Sequence, residues 1–312
     1  MRILVTGGAG YLGAVLVEQL LALGQRVVVL DAFRHGVPSL LHLAQHPHLA
    51  IHSGDVADLG TLRPLVLAAD AVAHLAALVG APVCEVDRNE AWRINQRATE
   101  TLVNLLMRDN PSAPLVFPCT NSGYGRGGSA PCDESQPMRP LSLYGQTKVN
   151  AERAVLSYAR GISLRFATLY GPSARMRLDL LVNDFVFRAV RYGELQLFEP
   201  EFRRCLLHVE DAACAIVDAL LGNMEALYSQ PWNVGAETLT KRELCAEIAL
   251  HIPGFQWEVS EGRDPDQRDY AVSSERFREA TGWAPQTSLA TGIEQLVSAY
   301  RMPLVGQQWR NV

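Results

Sequence analysis

The sequence predicts an α/β fold: a doubly wound parallel sheet carrying a smaller α/β lobe. Three observations lead there. Short apolar runs alternate with segments of helical period through the first two thirds of the chain. Those runs are apolar at nearly every position, as strands covered on both faces require. A glycine-rich turn, Thr6 to Gly13, joins the first run to the first helical segment.

The elements follow in order. Arg2 to Thr6 reads as a buried strand. Tyr11 to Leu23 has helical spacing, with Leu12, Val15, Leu16, Leu20 and Leu23 on one face, and Gly24 ends it. The Val-rich run Arg26 to Asp31 is a second strand, Ala50 to Ser53 a third and Ala71 to Leu75 a fourth. Ala91 to Arg108 reads as a long helix, Pro114 to Pro118 as a strand, Tyr144 to Arg160 as a helix and Gly161 to Ala167 as a strand. Beyond residue 170 the pattern loosens, with helices expected at Val182–Tyr192, Val209–Gly222 and Lys241–His251. A Pro/Asp/Arg-rich segment runs from Glu261 to Tyr270. The expected division is a dinucleotide-binding domain over 1–171 and a mainly ligand-binding lobe over 172–312. Some of the later segments return to the first domain.

Composition excludes several function classes. The chain has 312 residues, 48% hydrophobic and 20% charged, as soluble globular proteins do. A net charge of −5 leaves no basic field for nucleic acid or an anionic membrane. No run approaches the roughly 20 apolar residues of a transmembrane helix. Ile3-Leu4-Val5 is too short for the apolar region of a signal peptide. The six cysteines, at 84, 119, 132, 205, 214 and 245, are scattered without a Cys-x-x-Cys pair. They read as reduced thiols and a cytoplasmic address. No His/Cys cluster has metal-ligand spacing, so no metal is expected.

The glycine turn carries the first functional reading. Gly7 allows the tight turn, Gly10 lets backbone approach a pyrophosphate, and Gly13 permits close helix–strand packing, a Rossmann-type arrangement. Tyr11 and Leu12 open a helix whose N-terminal N–H groups favour phosphate. Asp31 ends the second strand 18 residues beyond Gly13, where a carboxylate accepts ribose hydroxyls and repels a 2′-phosphate. That choice favours NAD over NADP, although Arg34 stands nearby. Asp55-Val56 either meets the adenine edge or is a turn Asp.

Tyr144 and Lys148 fall four apart at a helix start, on one face. A nearby ammonium is expected to lower the phenol pKa, so that the Tyr moves a proton while a nicotinamide moves a hydride. Thr120, at the end of the preceding strand, would supply a hydroxyl to the same oxygen.

With these residues in place the chain resembles the extended short-chain dehydrogenase/reductases, specifically the NAD-dependent nucleotide-sugar epimerase/dehydratase group. Matching segments include Gly7 to Gly13, Asp31, Gly54-Asp55-Val56, His74-Leu75-Ala76-Ala77, Asn95, Thr120, Tyr124-Gly125, Tyr144 and Lys148. Leu164 to Pro172, Arg204 to Asp211, Asn233-Val234-Gly235 and Gly282 to Pro285 extend the match almost end to end. The resemblance implies cofactor contacts at Leu75, Ala76, Ala77 and Asn95 besides the glycine turn. It implies that Tyr144 takes a sugar hydroxyl proton, that Lys148 tunes Tyr144 and holds the nicotinamide ribose, and that a keto sugar forms. It places Asn121, Ser122, Asn183, Arg204 and Arg268 at a nucleotide-diphosphate sugar. It also implies a homodimer through helices 91–108 and 144–160, with Leu102, Leu105, Leu106, Val149 and Val155 facing either the partner or the sheet.

The string after Thr120 narrows the reaction. The 4,6-dehydratases carry Asp–Glu there, and this chain has Asn121 and Ser122, neither a carboxylic acid nor a carboxylate base. Uronate decarboxylases keep a Glu at the second position, and 3,5-epimerases a Cys. The expectation is therefore a C4 epimerase. A ketoreductase, or an epimerase at another carbon, would use the same residues. A non-catalytic nucleotide-binding regulatory protein is the alternative from another class, and the intact Thr120, Tyr144 and Lys148 argue against it.

Other residues read as follows. Arg175-Met176-Arg177 would pair with phosphates or a carboxylate, or lie in a solvated loop. Asp264, Asp266 and Asp269 would hold Arg268 in an ion network if it does not meet the diphosphate. His74, His208 and Cys119 read as structural, and Trp232, Trp257 and Trp283 as packing residues of the smaller lobe.

Overall fold

The computed structural model describes residues 1–128, 130–222, 224–262 and 267–302. Its strands are β1 (Arg2–Thr6), β2 (Arg26–Asp31), β3 (Leu49–Ser53), β4 (Ala71–His74), β5 (Leu115–Thr120), β6 (Gly161–Phe166) and β7 (Thr168–Tyr170), then β8 (Glu194–Leu197), β9 (Arg203–His208), β10 (Gln230–Val234), β11 (Glu237–Thr240) and β12 (Gln256–Val259). Its helices are α1 (Tyr11–Ala22), α2 (Leu59–Leu67), α3 (Ala81–Val86), α4 (Arg88–Ala91), α5 (Ala98–Asp109) and α6 (Leu143–Ser157), then α7 (Leu181–Tyr192), α8 (Val209–Leu221), α9 (Lys241–His251), α10 (Glu275–Thr281) and α11 (Leu289–Tyr300).

Seven parallel strands form the main sheet in the order β10-β6-β5-β4-β1-β2-β3. The Rossmann-type α/β fold expected from the sequence is the one observed. Strand order reverses between β1 and β4, the switch point where such sheets bind ligands. Strand alternation divides the core. Ile3 and Val5 point to one face, under Leu16 and Leu20 of α1 and Ile216 and Leu220 of α8. Leu4 points to the other, with Leu62 of α2, Leu102 and Leu106 of α5 and Val155 of α6. Each such fully buried side chain contributes about 1.5–3 kcal/mol.

The later half supplies the smaller sheets, β11-β9-β7 and β12-β8. It also returns β10 to the main sheet. Trp232 on β10 and Trp283 therefore pack in the main core, not in the smaller lobe as expected, because β10 pairs with β6 and α10 covers it. Trp257 does lie in the smaller lobe, on β12.

The long helix expected over 91–108 is interrupted. Residues Trp92–Arg97 form a π-helical stretch between α4 and α5, which turns Asn95 into the interior. Leu102, Leu105, Leu106 and Val155 belong to the core against the sheet, and Val149 is buried beside Gly123. Among the described residues no helix is long and apolar enough to cross a membrane, and none of the six cysteines is paired.

Candidate active site

The glycine turn lies at the switch point. Gly7 adopts φ +71°, and a Cβ there would stand 2.6 Å from the Ala76 nitrogen. Only glycine lets the exit of β4, Leu75 to Ala77, pass so close. A Cβ on Gly13 would stand 2.2 Å from the Gly7 carbonyl oxygen. Gly10 is the N-cap of α1 and brings no side-chain cap, so the first-turn N–H groups are left for another acceptor. Leu12, partly buried, packs against the core. The Asp31 carboxylate accepts from the Ala9 N–H (2.9 Å) and the Phe33 N–H (2.8 Å), fixing it at the lip of the turn.

Asp55 is engaged by the protein. It accepts from the Ala57 N–H (2.8 Å), as a turn Asp does, and pairs with Arg93 (2.6 Å). Arg93 also binds Glu90, which holds Arg34. Arg34, the residue that complicated the choice of dinucleotide, is thus tied to a carboxylate. Val56 is buried in the core.

The residues expected to react come from two elements. β5 ends at Thr120, and the short turn Asn121–Tyr124 follows. Ser142 caps α6, accepting from the Gly145 N–H (3.2 Å), and this places Tyr144 in the first turn and Lys148 one turn on. The Thr120 hydroxyl donates to Ser122 Oγ (2.9 Å) and accepts from the Ser122 N–H (3.1 Å). Ser122 Oγ also accepts from the Arg268 guanidinium. The Asn121 amide donates to the Arg165 carbonyl (2.9 Å) and to Asn233 Oδ1 (3.3 Å), so it is occupied by strand groups.

The electrostatics correct one expectation. Burial pushes the Tyr144 phenol above its usual pKa, and the cations that offset this are Arg177 and Arg268, not Lys148. The same apolar surroundings act on Lys148. Burial pulls its ammonium down to about 8, and its Nζ lies 3.8 Å over the Phe117 ring. His74 is a packed residue, as expected: burial holds it at about 3, between the hydroxyls of Thr6 (2.7 Å) and Thr99 (3.0 Å). Asn95 pins the chain after β4, accepting from the Leu78 N–H (2.7 Å) and donating to the Leu78 carbonyl (3.0 Å) and Thr147 Oγ1 (3.1 Å).

Sequence reasoning missed a buried web behind the site. Arg165 on β6 pairs with Glu152 on α6 (2.7 Å), and Ser163 Oγ donates to the same carboxylate (2.7 Å). Arg165 also donates to the Tyr124 hydroxyl (2.8 Å), which donates to Asn233 Oδ1 (2.8 Å). Helix α6 is thus tied to the Thr120–Tyr124 turn. The signal was available: an Arg inside an apolar strand must find a partner.

The smaller lobe is bolted onto the turn. The Tyr11 hydroxyl donates to the Gly171 carbonyl (2.7 Å), and Ser173 Oγ donates to the Tyr11 carbonyl (2.7 Å). Asn183 Nδ2 donates to the Tyr11 hydroxyl (3.3 Å) and to the Arg177 carbonyl (2.9 Å), and its Oδ1 accepts from the Gly171 N–H (3.0 Å). Arg175 and Arg177 are buried, not solvated. Arg204 donates to the Arg268 carbonyl and Arg203 pairs with Asp269 (3.0 Å), and isolated bridges join Asp269 to Arg126 and Val272 to Cys132. Asp264 and Asp266 lie outside the described residues. His208 caps α8, accepting from the Glu210 N–H (3.3 Å), and Cys119 is a core residue.

A glycine turn at the switch point of a doubly wound sheet, with Thr120 ending β5 and Tyr144 and Lys148 opening α6, is the arrangement of a dinucleotide-binding α/β protein. The model of the NAD dependent epimerase/dehydratase family matches residues 3–235, and the chain belongs to that family. It is 31% identical to a UDP-glucose 4-epimerase of Corynebacterium glutamicum, covering 94% of each chain. It is 28% identical to UDP-glucuronic acid decarboxylase 1 of Arabidopsis thaliana, covering 98% of this chain and 71% of the relative. A dTDP-glucose 4,6-dehydratase of Streptomyces venezuelae, solved with NAD and TYD bound, superposes with a TM-score of 0.85 at 28% identity, covering 96% of this chain and 97% of that one.

Proposed function

We propose that the chain is an NAD-dependent epimerase of a nucleotide-diphosphate sugar, acting at C4 by transient oxidation to a keto sugar and re-reduction. One observation carries this reading: the turn after Thr120 holds no carboxylate. Relatives named for epimerisation, dehydration and decarboxylation are of similar likeness, so the choice among them rests on that turn. Elimination needs a carbon base and an acid for the leaving hydroxyl. The groups on Ser122 Oγ are the Thr120 hydroxyl and the Arg268 guanidinium, and neither is a base near neutral pH. Oxidation and reduction at one carbon need only one group that takes and returns a proton.

The residues fit the dinucleotide. The cradle closed by Gly7 and Gly13 leaves the first-turn N–H groups of α1 for its phosphates, and Asp31 stands where ribose hydroxyls would be accepted. Bound NAD supplies a hydride acceptor that later returns the hydride. Tyr144 takes the C4 hydroxyl proton and gives it back after the keto sugar has turned its other face. Arg177 and Arg268 favour the phenolate in that interval. Thr120 offers its hydroxyl to the reacting oxygen, and Arg165 and Glu152 hold its turn against α6.

The test is the cofactor requirement. Denatured protein should release nicotinamide dinucleotide, and native protein should interconvert nucleotide-sugar 4-epimers without added cofactor. A chain carrying no nicotinamide and requiring added NADH would instead be a reductase.

A further inference from the structure

We propose that Arg175 and Arg177 form the second wall of the site for the dinucleotide's diphosphate and hold NAD in place through turnover. The inference rests on NAD as the bound dinucleotide and is independent of which sugar carbon reacts. From the sequence this loop either meets phosphates or a carboxylate, or lies solvated. The structure fastens it to the glycine turn.

Tyr11, the first residue of α1, is gripped at both ends by this loop: its hydroxyl by Gly171 (2.7 Å) and its carbonyl by Ser173 (2.7 Å). Ser173 Oγ then accepts from the Arg175 N–H (3.3 Å), and Asn183 holds the Arg177 carbonyl (2.9 Å). The backbone that bears the two guanidiniums is thus carried to Tyr11 at the N-terminal end of α1, whose cap brings no side-chain acceptor. Arg175 and Arg177 are 2% and 8% exposed. Arg177 forks onto Asp179 (2.5 and 3.2 Å), and Arg175 donates to the Met176 carbonyl.

On the adenosine side both charges reach His35, on the loop after Asp31, and add to the burial that lowers its imidazole pKa. On the nicotinamide side Arg177 lowers the Tyr144 phenol and lies 3.8 Å from where a Gly80 Cβ would stand, on the loop leaving β4. Arg177 has a counter-ion in Asp179, and the two guanidiniums and the positive end of the helix still repel one another. A diphosphate between the two walls resolves that repulsion with charge-assisted hydrogen bonds from both sides. The consequence is retention. An enzyme that removes a hydride and returns it to the same substrate must not release its dinucleotide between the two steps.

The test compares Arg175→Gln and Arg177→Gln with Arg177→Lys, which keeps the charge and loses the fork. Circular dichroism confirms folding. Dinucleotide retained through desalting is measured by chromatography of the denatured protein, and protein freed of NAD is titrated with ADP and with adenosine. The expected result is that the wild type keeps its NAD and both Gln variants lose it. ADP affinity falls about 10-fold or more in each, adenosine affinity is unchanged, and the Lys variant is intermediate. Should a Gln variant fail to fold, the Lys variant's weakened ADP with intact adenosine binding carries the same test. Gln variants that hold NAD and ADP as the wild type does would overturn the proposal. So would a loss confined to nucleotide-sugar binding, which would return the arginines to the substrate. A wild type that binds no nicotinamide dinucleotide would fail at the cofactor reading itself.

Discussion

Glu152→Gln is the most informative single perturbation of the scaffold. Glu152 and Arg165 are 3% and 6% exposed, and the carboxylate meets the guanidinium at 2.7, 3.0 and 3.1 Å while accepting from Ser163. The amide keeps the shape and removes the charge, leaving a guanidinium buried without its counter-ion. Breaking such a pair costs about 3–5 kcal/mol. For a chain of 312 residues this lowers Tm by about 5–8 °C. Calorimetry of NAD-loaded wild type and variant reads the loss. Glu152→Met with Arg165→Met, which removes both charges, should recover most of it, because the cost lies in the unpaired ion. A Gln variant within about 1 kcal/mol of wild type, or a double variant no better than the single one, would refute the reasoning.

Three further outcomes follow. Tyr144→Phe removes the proposed proton carrier and should lower kcat about 10²- to 10⁴-fold, with NAD retention unchanged on desalting. Gly13→Ala sets a Cβ 2.2 Å from the Gly7 carbonyl oxygen, so the turn must open; purified variant should carry little or no dinucleotide, measured by absorbance of the denatured protein. Lys148→Met concerns pH. Burial pulls Lys148 to about 8, below the roughly 10.4 of an unfolded Lys. The folded state therefore carries a cost that is full below pH 8 and is relieved as pH rises toward the unfolded value. The Met variant, without NAD, should be more stable than wild type by up to about 3 kcal/mol at pH 7, with the difference shrinking above pH 8. Urea unfolding across pH checks it, and a less stable variant at pH 7 contradicts it.

The main sheet was legible because its strands are continuously apolar and its punctuation is local: Gly13, Gly24 and Asp31 each act on neighbours in sequence. Tyr144 and Lys148 were legible for the same reason, being one helical turn apart. What escaped was long-range. β10 looks like any edge segment until it pairs with β6, and that pairing moved Trp232 into the main core. The Arg165–Glu152 pair joins residues 13 apart on different elements. The sign of the Tyr144 surroundings was misread because helical spacing says which side chains share a face, whereas pKa depends on burial and on Arg177 and Arg268 brought from other elements. Arg175 and Arg177 were seen as cations with two readings open, anion partner or solvated loop, since no local pattern shows that Ser173 and Gly171 clasp Tyr11.

The central claim is that one carbon is oxidised and re-reduced with no carbon deprotonation. Incubation of the purified protein with a panel of nucleotide-diphosphate sugars in deuterated water, followed by NMR of the products, tests it directly. The account predicts inversion at C4 with no deuterium at C3 or C5. Deuterium at either carbon, or a product that has lost water or carbon dioxide, would contradict it.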